Sequence, residues 1–297
     1  MTRRVIAVGD VNHDILVSPH HTVRPASDTP STVRFRPGGS AANTAAWLAS
    51  AGVAVDLVGA IGSSDFDRYV AELEDCGVTP HLQREIGVTT GTIIIIVSPR
   101  GDDPTMFTER GANALLSPSA VTPELLSTAA AVHLSAYSFV DGFGVAGARD
   151  VIDRASAAGV PVVVNPSSAD YIRDFGVDAF RTAARGASVI FPNLEEGELL
   201  TGETSPERMI AAFHELAETV VLTLGPDGAM GQHRSGAPVV RVPAPKVRVV
   251  DPTGAGDAFA AGFLTSWIER PDLDSAMTSA VQLAARAIML IGGRPGV

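Results

Sequence analysis

Short apolar runs alternate with longer amphipathic segments between residues 130 and 224, and this rhythm constrains the fold more than any other feature of the chain. The apolar runs are rich in valine, isoleucine and leucine. Strands of this kind are buried on both faces, as in a parallel sheet that helices cover on each side. The chain is therefore predicted to have an α/β fold with a mostly parallel central sheet. The runs lie at 131–135, 160–165, 188–191 and 219–224, and the helical segments at 144–158, 177–184, 194–201 and 206–216.

The flanking parts of the chain extend the same architecture. A helix is predicted to start near Ser40 and to stop at Gly52. Ser64, with Asp67 three residues later, predicts a capping pair for a helix that runs to Cys76. The other predicted elements are strands at 5–8 and 54–61, a hairpin at 229–233 and 239–242, and helices at 255–268 and 275–291.

Two regions, near 11–36 and 86–110, do not follow the α/β rhythm. Both contain segments that alternate apolar and polar residues, which is typical of half-exposed strands. In the second region a turn at 100–103 joins two such segments. We expect the two regions to assemble one small sheet over the α/β core, where it could act as a lid. Residues 1–297 would then form a single domain with two lid insertions.

The charge balance limits the partners of this chain. With 22 basic and 33 acidic residues among 297, the net charge is −11, which argues against nucleic acid because phosphate binding depends on basic surface. No apolar stretch reaches the ~20 residues of a membrane span. A single cysteine and the early Asp10 in the first apolar run are typical of a cytoplasmic protein. The one lysine, Lys246, lies between Pro245 and Val247, so a Walker phosphate-binding loop is excluded.

A glycine-rich turn joins a strand end to a helix in the run Val-Val-Asp-Pro-Thr-Gly-Ala-Gly-Asp-Ala-Phe at 249–259. Unpaired N–H groups at such a helix start bind anions, and glycine lets a phosphate approach the backbone closely. A dinucleotide-binding fingerprint is excluded, because Phe259 stands where a third glycine or alanine is required. Asp257 would instead accept a proton from an attacking hydroxyl while the amides of the turn stabilise a phosphoryl group in transfer. Helix capping is the alternative role for Asp257.

The segment at 251–263 resembles, almost letter for letter, the second signature of the ribokinase-like (PfkB) family of sugar and nucleoside kinases. Pro-Gly-Gly-Ser-Ala-Ala-Asn at 37–43 resembles the first signature, and three further family motifs stand between them in order, at 111–113, 192–196 and 223–228. The resemblance covers essentially the whole chain. It implies a three-layer α/β/α fold with a small β-sheet lid, and a kinase that uses ATP with Mg²⁺ and, as in many members, K⁺.

The sugar site can be placed on this sequence. Asp14 follows the first strand, where α/β sheets bind their ligands, and a carboxylate there can accept hydrogen bonds from two sugar hydroxyls. A turn aspartate and an ordinary loop glycine pair are the alternatives. The resemblance implies sugar contacts from Asn12, Asp14, Gly38, Gly39 and Asn43, and a catalytic group made of Asp257, Gly254, Ala255 and Gly256.

The nucleotide and cation sites follow from the remaining motifs. Asn193 and Glu196 stand in the first turn of one helix, where they would hold Mg²⁺ through water or merely form a capping box. The resemblance implies nucleotide contacts from Asn193, Thr223, Gly225 and Gly228, and a K⁺ site at Asp251 and Thr253. A plain β-turn is the alternative for the segment at 223–228, and turn capping is the alternative for Asp251.

Parts of the chain depart from the family pattern. Many relatives carry Asp-x-Asn after the strand at 160–165, whereas this chain has Asn-Pro-Ser-Ser at 165–168, so no catalytic role is assigned there. The sequence ends at Val297, earlier than most relatives, and no adenine contact is assigned to that end. The seven histidines lack metal-site spacing and are expected on the surface or on the lid.

The leading hypothesis is an ATP-dependent kinase that phosphorylates a primary alcohol of a small sugar, with Asp257 as the general base. A nucleoside kinase is the alternative enzyme, although the chain is only 5% aromatic and Phe35, Phe107 and Phe139 are the few candidates for stacking. A catalytically silent sugar-binding protein on the same fold is the third hypothesis, and the intact anion turn argues against it. Arg110 could contact an acidic sugar.

A homodimer through the lid is predicted, because an exposed edge or apolar face needs a partner.

Overall fold

A computed structural model describes residues 3–97 and 105–295, so the turn predicted at 100–103 lies outside the described residues. The strands are β1 (Arg4–Val8), β2 (Asn12–Pro19), β3 (Ser31–Gly38), β4 (Ala54–Gly62), β5 (Val78–Glu85), β6 (Gly91–Ile96), β7 (Thr105–Glu109), β8 (Ala129–Ser135), β9 (Val162–Asn165), β10 (Ala187–Ile190), β11 (Ala217–Thr223), β12 (Ala229–Gln232) and β13 (Val240–Val242). The helices are α1 (Ser40–Ser50), α2 (Phe66–Asp75), α3 (Pro123–Thr128), α4 (Gly144–Ala157), α5 (Ala169–Phe175), α6 (Val177–Ala184), α7 (Leu194–Thr201), α8 (Pro206–Phe213), α9 (Ala255–Trp267) and α10 (Leu273–Ala287).

The larger sheet has the strand order β13-β12-β11-β10-β9-β8-β1-β4-β5. Every pair from β11 to β5 is parallel, and only β12 and β13 run antiparallel to their neighbours. Parallel neighbours need crossover connections, which the helices between the strands supply. The predicted α/β fold with a mostly parallel sheet is therefore confirmed.

Helices cover both faces of this sheet. In β1, Ile6 and Val8 pack into a core with residues of α4, α6 and α8, whereas Val5 and Ala7 pack on the opposite side with residues of α1, α9 and α10. Successive side chains of a strand point to opposite faces, so an uninterrupted apolar run serves two helical layers at once. The three-layer arrangement is confirmed. No helix in the two described ranges is long and apolar enough to cross a membrane.

Some elements were not predicted or begin elsewhere. The strand β5 reads Val-Thr-Pro-His-Leu-Gln-Arg-Glu and forms an edge that pairs only with β4, so it lacks the apolar run of a central strand. The capping pair predicted from Ser64 and Asp67 is wrong, because α2 begins at Phe66 after Asp65. The Asp65 carboxylate makes no cap and instead accepts a hydrogen bond from Thr90 Oγ1 at 2.8 Å.

The smaller sheet has the order β3-β2-β6-β7, and its four strands all lie in the two regions singled out in the sequence. One face carries Asp14, Ile93 and Thr108, which are register neighbours, and this face looks toward the core. The opposite face carries Phe35 and Phe107, which are 73% and 57% exposed. The alternation predicted for these strands therefore separates a wall that faces inward from an apolar outer face.

His133 corrects the expectation that every histidine lies on the surface or the lid. It is fully buried in β8, next to Ala7 of β1 and Val163 of β9. Burial lowers the pKa of His133 to about 4, so the ring is neutral at physiological pH. The signal was present in the sequence, because His133 stands in the middle of the apolar run at 131–135 that predicts a strand buried on both faces.

A pair of matched isoleucines tests the assignment of the core. Ile61 of β4 is fully buried, whereas Ile86, in the turn after β5, is 87% exposed. Removing a buried side chain leaves a cavity, so Ile61→Ala is expected to lower the free energy of unfolding by about 2–5 kcal/mol. Ile86→Ala should change it by no more than ~0.5 kcal/mol. Equal denaturant midpoints for the two variants would contradict the core assignment.

Candidate active site

A cavity of about 910 Å³ opens at the carboxyl edge of the larger sheet. Residues at or just beyond the ends of parallel strands line it: Asp10 after β1, Tyr137 after β8, Asn165 at the end of β9, Asn193 after β10 and Thr223 at the end of β11. Ligands of open α/β sheets bind in this position. Ile93, Ile95, Met106 and Thr108 of the smaller sheet form the facing wall.

The amino-terminal end of α9 forms the floor of the cavity. Gly254 has φ +77°, and a Cβ on it would lie 2.6 Å from Cα of Gly293, so only glycine fits this turn. A Cβ on Gly256 would meet nothing within 4 Å, which leaves open space beside its backbone. The first N–H groups of an α-helix lack partners within the helix and carry the positive end of its dipole. The turn thus offers an anion site inside the cavity.

Asp257 lies in the first turn of α9 and is 9% exposed. Its Oδ1 accepts a hydrogen bond from Ser40 Oγ at 2.7 Å, and its Oδ2 accepts one from Asn43 Nδ2 at 2.9 Å. Burial raises the pKa of Asp257 to about 6, while the hydrogen bonds from Asn43 and Ser40 hold it down. A carboxylate with this pKa is ionised at neutral pH and can still accept a proton.

The helix α1 contributes two side chains to the site. Asn43, which the resemblance assigns to the sugar, lines the cavity and donates from Nδ2 to Asp257. Ser40, three residues earlier on the same helix face, was not among the predicted site residues and makes the second contact. The three-residue spacing of two polar side chains in an otherwise alanine-rich helix was the available signal.

Arg294 contacts residues of the site from the carboxyl-terminal segment, and sequence reasoning missed it. It is 6% exposed, and its Nη2 donates to the backbone oxygen of Gly38 at 3.0 Å. Its Nε donates to Asn43 Oδ1 at 3.3 Å, and its Nη1 donates to Glu72 at 2.9 Å. The signal was a lone arginine in a glycine-rich segment, but nothing in the sequence shows that this segment returns to α1.

Asp14 and Asn12 lie together in β2 on the cavity wall. Asp14 is 5% exposed, and burial raises its pKa to about 7 against the opposing charge of Arg294. A Cβ on Gly38 would lie 2.2 Å from this carboxylate, so Gly38 makes room for Asp14 without lining the cavity itself. Asn12 Oδ1 accepts from Asn113 Nδ2 at 2.7 Å. Gly39 also lines the cavity.

Asn193 and Glu196 form the capping box at the start of α7. Glu196 N donates to Asn193 Oδ1 and Asn193 N donates to Glu196 Oε2, each at 2.8 Å. Both residues also line the cavity, and burial raises the pKa of Glu196 to about 7. Capping therefore does not remove either side chain from the site.

Mg²⁺ is compatible with Glu196. In the part of the chain that the structure describes, no three His, Cys, Asp or Glu side chains are grouped so that they could hold a metal ion. Mg²⁺ needs no such cage, because it commonly keeps several waters and binds through one or two carboxylates and substrate phosphates. A cation near the buried Glu196 would offset the cost of ionising it.

The predicted nucleotide and K⁺ residues are only partly brought together. Thr223 lines the cavity, whereas Gly225 and Gly228 do not. Gly228 has φ +93° and packs against the backbone of β13, which explains the glycine by conformation and space. Asp251 also lies off the cavity, and its carboxylate accepts hydrogen bonds at 2.9 Å from the backbone amides of Thr253 and Gly292. Thr253 lines the cavity.

The aromatic residues of the cavity are not those expected from the sequence. Phe139 is fully buried in the core, and Phe35 and Phe107 belong to the outer face of the smaller sheet. Tyr137 and Tyr171 line the cavity instead, with their rings edge to face at 4.9 Å. This pair comes from two segments more than thirty residues apart, so composition alone did not reveal it.

The segment that departs from the family pattern also lines the cavity, through Asn165, Ser167 and Ser168. Ser167 has φ +88°, which is rare for a residue with a side chain. Its Oγ accepts a hydrogen bond from the backbone N–H of Tyr137 at 3.1 Å. This hydrogen bond, made from a strained backbone position, therefore holds Tyr137 in place beside Tyr171.

The sequence matches the family described as pfkB family carbohydrate kinase over residues 2–296. It is 29% identical to the bifunctional protein HldE of Shewanella sediminis over 97% of the chain, but it spans only 60% of that protein. It is 28% identical to the ATP-dependent ribose-1-phosphate kinase of Halopiger xanaduensis, covering 99% of the chain and 93% of the relative. It is 26% identical to the ribokinase of Haemophilus influenzae, covering 100% and 96%.

Solved structures share the fold. The adenosine kinase from Sinorhizobium meliloti superposes with a TM-score of 0.88 at 23% identity, covering 100% of this chain and 97% of that one. The ribokinase of Thermotoga maritima superposes with a TM-score of 0.82 at 24% sequence identity, covering 99% of this chain and 95% of that one. A putative ribokinase II from E. coli in complex with ATP and Mg²⁺ superposes with a TM-score of 0.84 at 21% sequence identity, covering 99% of this chain and 94% of that one. The predicted ribokinase-like fold is confirmed.

The hydrogen bond from Ser40 can be tested by titration. Ser40→Ala removes a donor to the ionised form of Asp257, so the pKa of Asp257 is expected to rise by about one pH unit. Carbon-13 NMR of the carboxyl group measures this directly. Ser50→Ala at the other end of α1 removes a hydroxyl that bonds only to the backbone of Trp47, and it should leave the titration unchanged. A variant Ser40→Ala that titrates like the parent protein would show that this contact does not control Asp257.

Proposed function

Since the chain belongs to the pfkB family of carbohydrate kinases, we propose that it transfers the γ-phosphoryl group of ATP to a primary hydroxyl of a small sugar, with Asp257 as the general base. The observation that carries this proposal is the position of Asp257 at the amino end of α9, in one cavity with Asp14 and Glu196. One cavity contains the base, the anion turn at the start of α9 and the polar residues of β2 that would bind the acceptor. Phosphoryl transfer between two bound substrates requires these groups close together.

In the proposed reaction, Asp257 takes the proton from the sugar hydroxyl as the hydroxyl oxygen attacks the γ-phosphorus. The bond from the γ-phosphorus to the β,γ-bridging oxygen breaks, and ADP leaves. Contacts from Asn12, Asp14, Gly39 and Asn43 orient the sugar, with Gly38 making room for Asp14. The amides of Gly254, Ala255 and Gly256 stabilise negative charge on the phosphoryl oxygens, which acts where charge builds up in the transition state. Asn43 and Ser40 keep Asp257 ionised and oriented before the hydroxyl arrives.

Enzymes of this family use ATP with Mg²⁺. We propose that Glu196 and Asn193 hold the ion through water, and that Thr223, Gly225 and Gly228 flank the nucleotide. When bound, Mg²⁺ neutralises charge on the ATP phosphates. We further assign a K⁺ site to the loop of Asp251 and Thr253, as the resemblance implies.

A nucleoside kinase is the second candidate, and one observation favours it. Tyr137 and Tyr171 line the cavity, and aromatic side chains are suitable surfaces for stacking a base. The presence of both the base Asp257 and the anion turn argues against a catalytically silent sugar-binding protein. The proposed location is the cytoplasm, where ATP is available.

The smaller sheet is proposed to act as a lid on a single domain that spans residues 1–297. It bears Asp14 on its inner face, so its closure would bring the sugar toward Asp257 and exclude water. Exclusion of water prevents transfer of the phosphoryl group to water in place of the sugar.

Replacing the base should remove turnover but not binding. Asp257→Asn is expected to lower kcat by about 10²–10⁴, because a general base contributes that factor, while the affinity for the sugar stays close to that of the parent protein. Asp274→Asn, at an exposed carboxylate in the first turn of α10, is the matched control and should retain full activity. More than about a tenth of the parent kcat in Asp257→Asn would rule out the base assignment.

Removing the acceptor carboxylate should act on binding. Asp14→Ala is expected to raise KM at least about tenfold, because each lost charge-assisted hydrogen bond costs about 1.5–3 kcal/mol. Steady-state kinetics with the best sugar measures it, and Asp28→Ala, in an exposed loop of the same region, is the control. A KM within about twofold of the parent would place the sugar elsewhere.

A homodimer through the lid is proposed on the outer face of the smaller sheet. Val33, Phe35, Ile94 and Phe107 lie there and are between 38% and 73% exposed, and a second copy of the same face would cover them. Analytical ultracentrifugation should report a dimer that Phe35→Glu converts to a monomer. A monomeric parent protein would refute this interface.

A further inference from the structure

Two buried carboxylate oxygens in the cavity lack any hydrogen-bond partner among the described residues: Asp10 Oδ1 and Asp14 Oδ1. Their residues are 3% and 5% exposed and line the same cavity. A buried polar atom without a partner is costly, and in a ligand site the missing partner is a group of the ligand. An ionised carboxylate only accepts hydrogen bonds, so the missing groups are donors such as sugar hydroxyls.

The other carboxylate oxygen of Asp10, Oδ2, accepts a hydrogen bond from Arg110. Arg110 Nη1 donates to Asp10 Oδ2, its Nε donates to Asp141 Oδ2 at 2.8 Å, and its Nη2 donates to the backbone oxygen of Tyr137 at 2.8 Å. All three nitrogens are engaged, and two carboxylates compensate one positive charge. The sequence suggested Arg110 as a contact for an acidic sugar, but its charge is already paired with two carboxylates of the protein.

The charges around the cavity are otherwise negative. Arg110 is the only lysine, arginine or histidine among the described lining residues. Arg36 pairs in register with Asp14 across β2 and β3, but it is exposed and does not line the cavity. The acidic lining residues are Asp10, Asp14, Asp170, Asp174, Glu196 and Asp257.

We propose that Asp10, held by Arg110, is a second acceptor-binding carboxylate beside Asp14, and that this wall selects an uncharged polyhydroxy acceptor over one that carries a phosphate or a carboxylate. A phosphate or carboxylate brought against Asp10 and Asp14 would meet like charge on their ionised forms, and Arg110, the one cation among the described lining residues, is already paired with two carboxylates. The anion turn at the start of α9 does not serve this purpose, since the γ-phosphoryl group of ATP occupies it in the proposed reaction. This inference rests on the proposed function, which leaves the charge class of the acceptor open.

Matched acceptor pairs test the selection. Ribose against ribose 1-phosphate and fructose against fructose 6-phosphate differ in one phosphate, while each retains a primary hydroxyl; adenosine and gluconate complete the panel. The best uncharged acceptor should exceed the best anionic one in kcat/KM by roughly 100-fold. A ratio within about tenfold, or a preference for an anionic acceptor, overturns the inference.

Calorimetric binding without ATP separates this inference from the proposed function. Turnover of no acceptor would refute the proposed kinase activity, while binding of an uncharged acceptor with exclusion of its phosphate would still support the selection. Failure of every uncharged member to bind would overturn the selection itself.

Freeing Arg110 provides the sharper test. Asp10→Asn combined with Asp141→Asn keeps the shape of both side chains but leaves the Arg110 charge uncompensated, so the preference for uncharged over anionic acceptors should fall at least about tenfold. Asp141→Asn alone should lower the same preference in the same direction. This single variant replaces the double variant in the test if the double variant does not fold. Asp153→Asn removes a surface carboxylate paired with Arg149 and should leave the ratio unchanged. An unchanged ratio in the folded double variant would refute the role of the wall.

Discussion

The buried carboxylate of Asp257 is the interaction on which the rest of the site depends. A charge taken out of water is costly unless hydrogen bonds compensate it, and the helix that bears this one supplies no side-chain cap of its own. Compensation comes from Ser40 and Asn43 on α1, more than two hundred residues earlier in the chain. The position of α1 against α9 is therefore part of the chemistry of the site as well as of its packing.

A second set of buried polar contacts holds the loops around this carboxylate. Arg294 ties the carboxyl-terminal segment to Asn43 and to the backbone of Gly38, and Asp251 bonds to the amide of Gly292 in that same segment. Asn113 bonds to both backbone groups of Val11, in the segment between β1 and β2. These contacts replace the freedom of glycine-rich loops with fixed geometry, which is the requirement for preorganised stabilisation of charge in a transition state.

Regular elements could be predicted from the sequence where local pattern and final environment agree. The central strands and the helices α4 and α6 were predicted because their apolar periodicity matches the side they bury. The same reasoning missed β5, an edge strand of polar composition whose place is set by its pairing with β4. His133 was expected on the surface because it is polar, although it lies within the predicted buried strand at 131–135.

The sequence by itself determined the α/β architecture, the glycine turn before Asp257 and the acidic residue in β2, because each is written in contiguous residues whose geometry is local. The tertiary structure alone decided that Ser40, Asn43 and Arg294 converge on one carboxylate and that Tyr137 and Tyr171 form a wall. It also decided that the charge of Arg110 is already compensated by Asp10 and Asp141. Hydrogen bonds and ion pairs depend on distances between side chains, and those distances exist only once the sheet has brought remote segments to one edge.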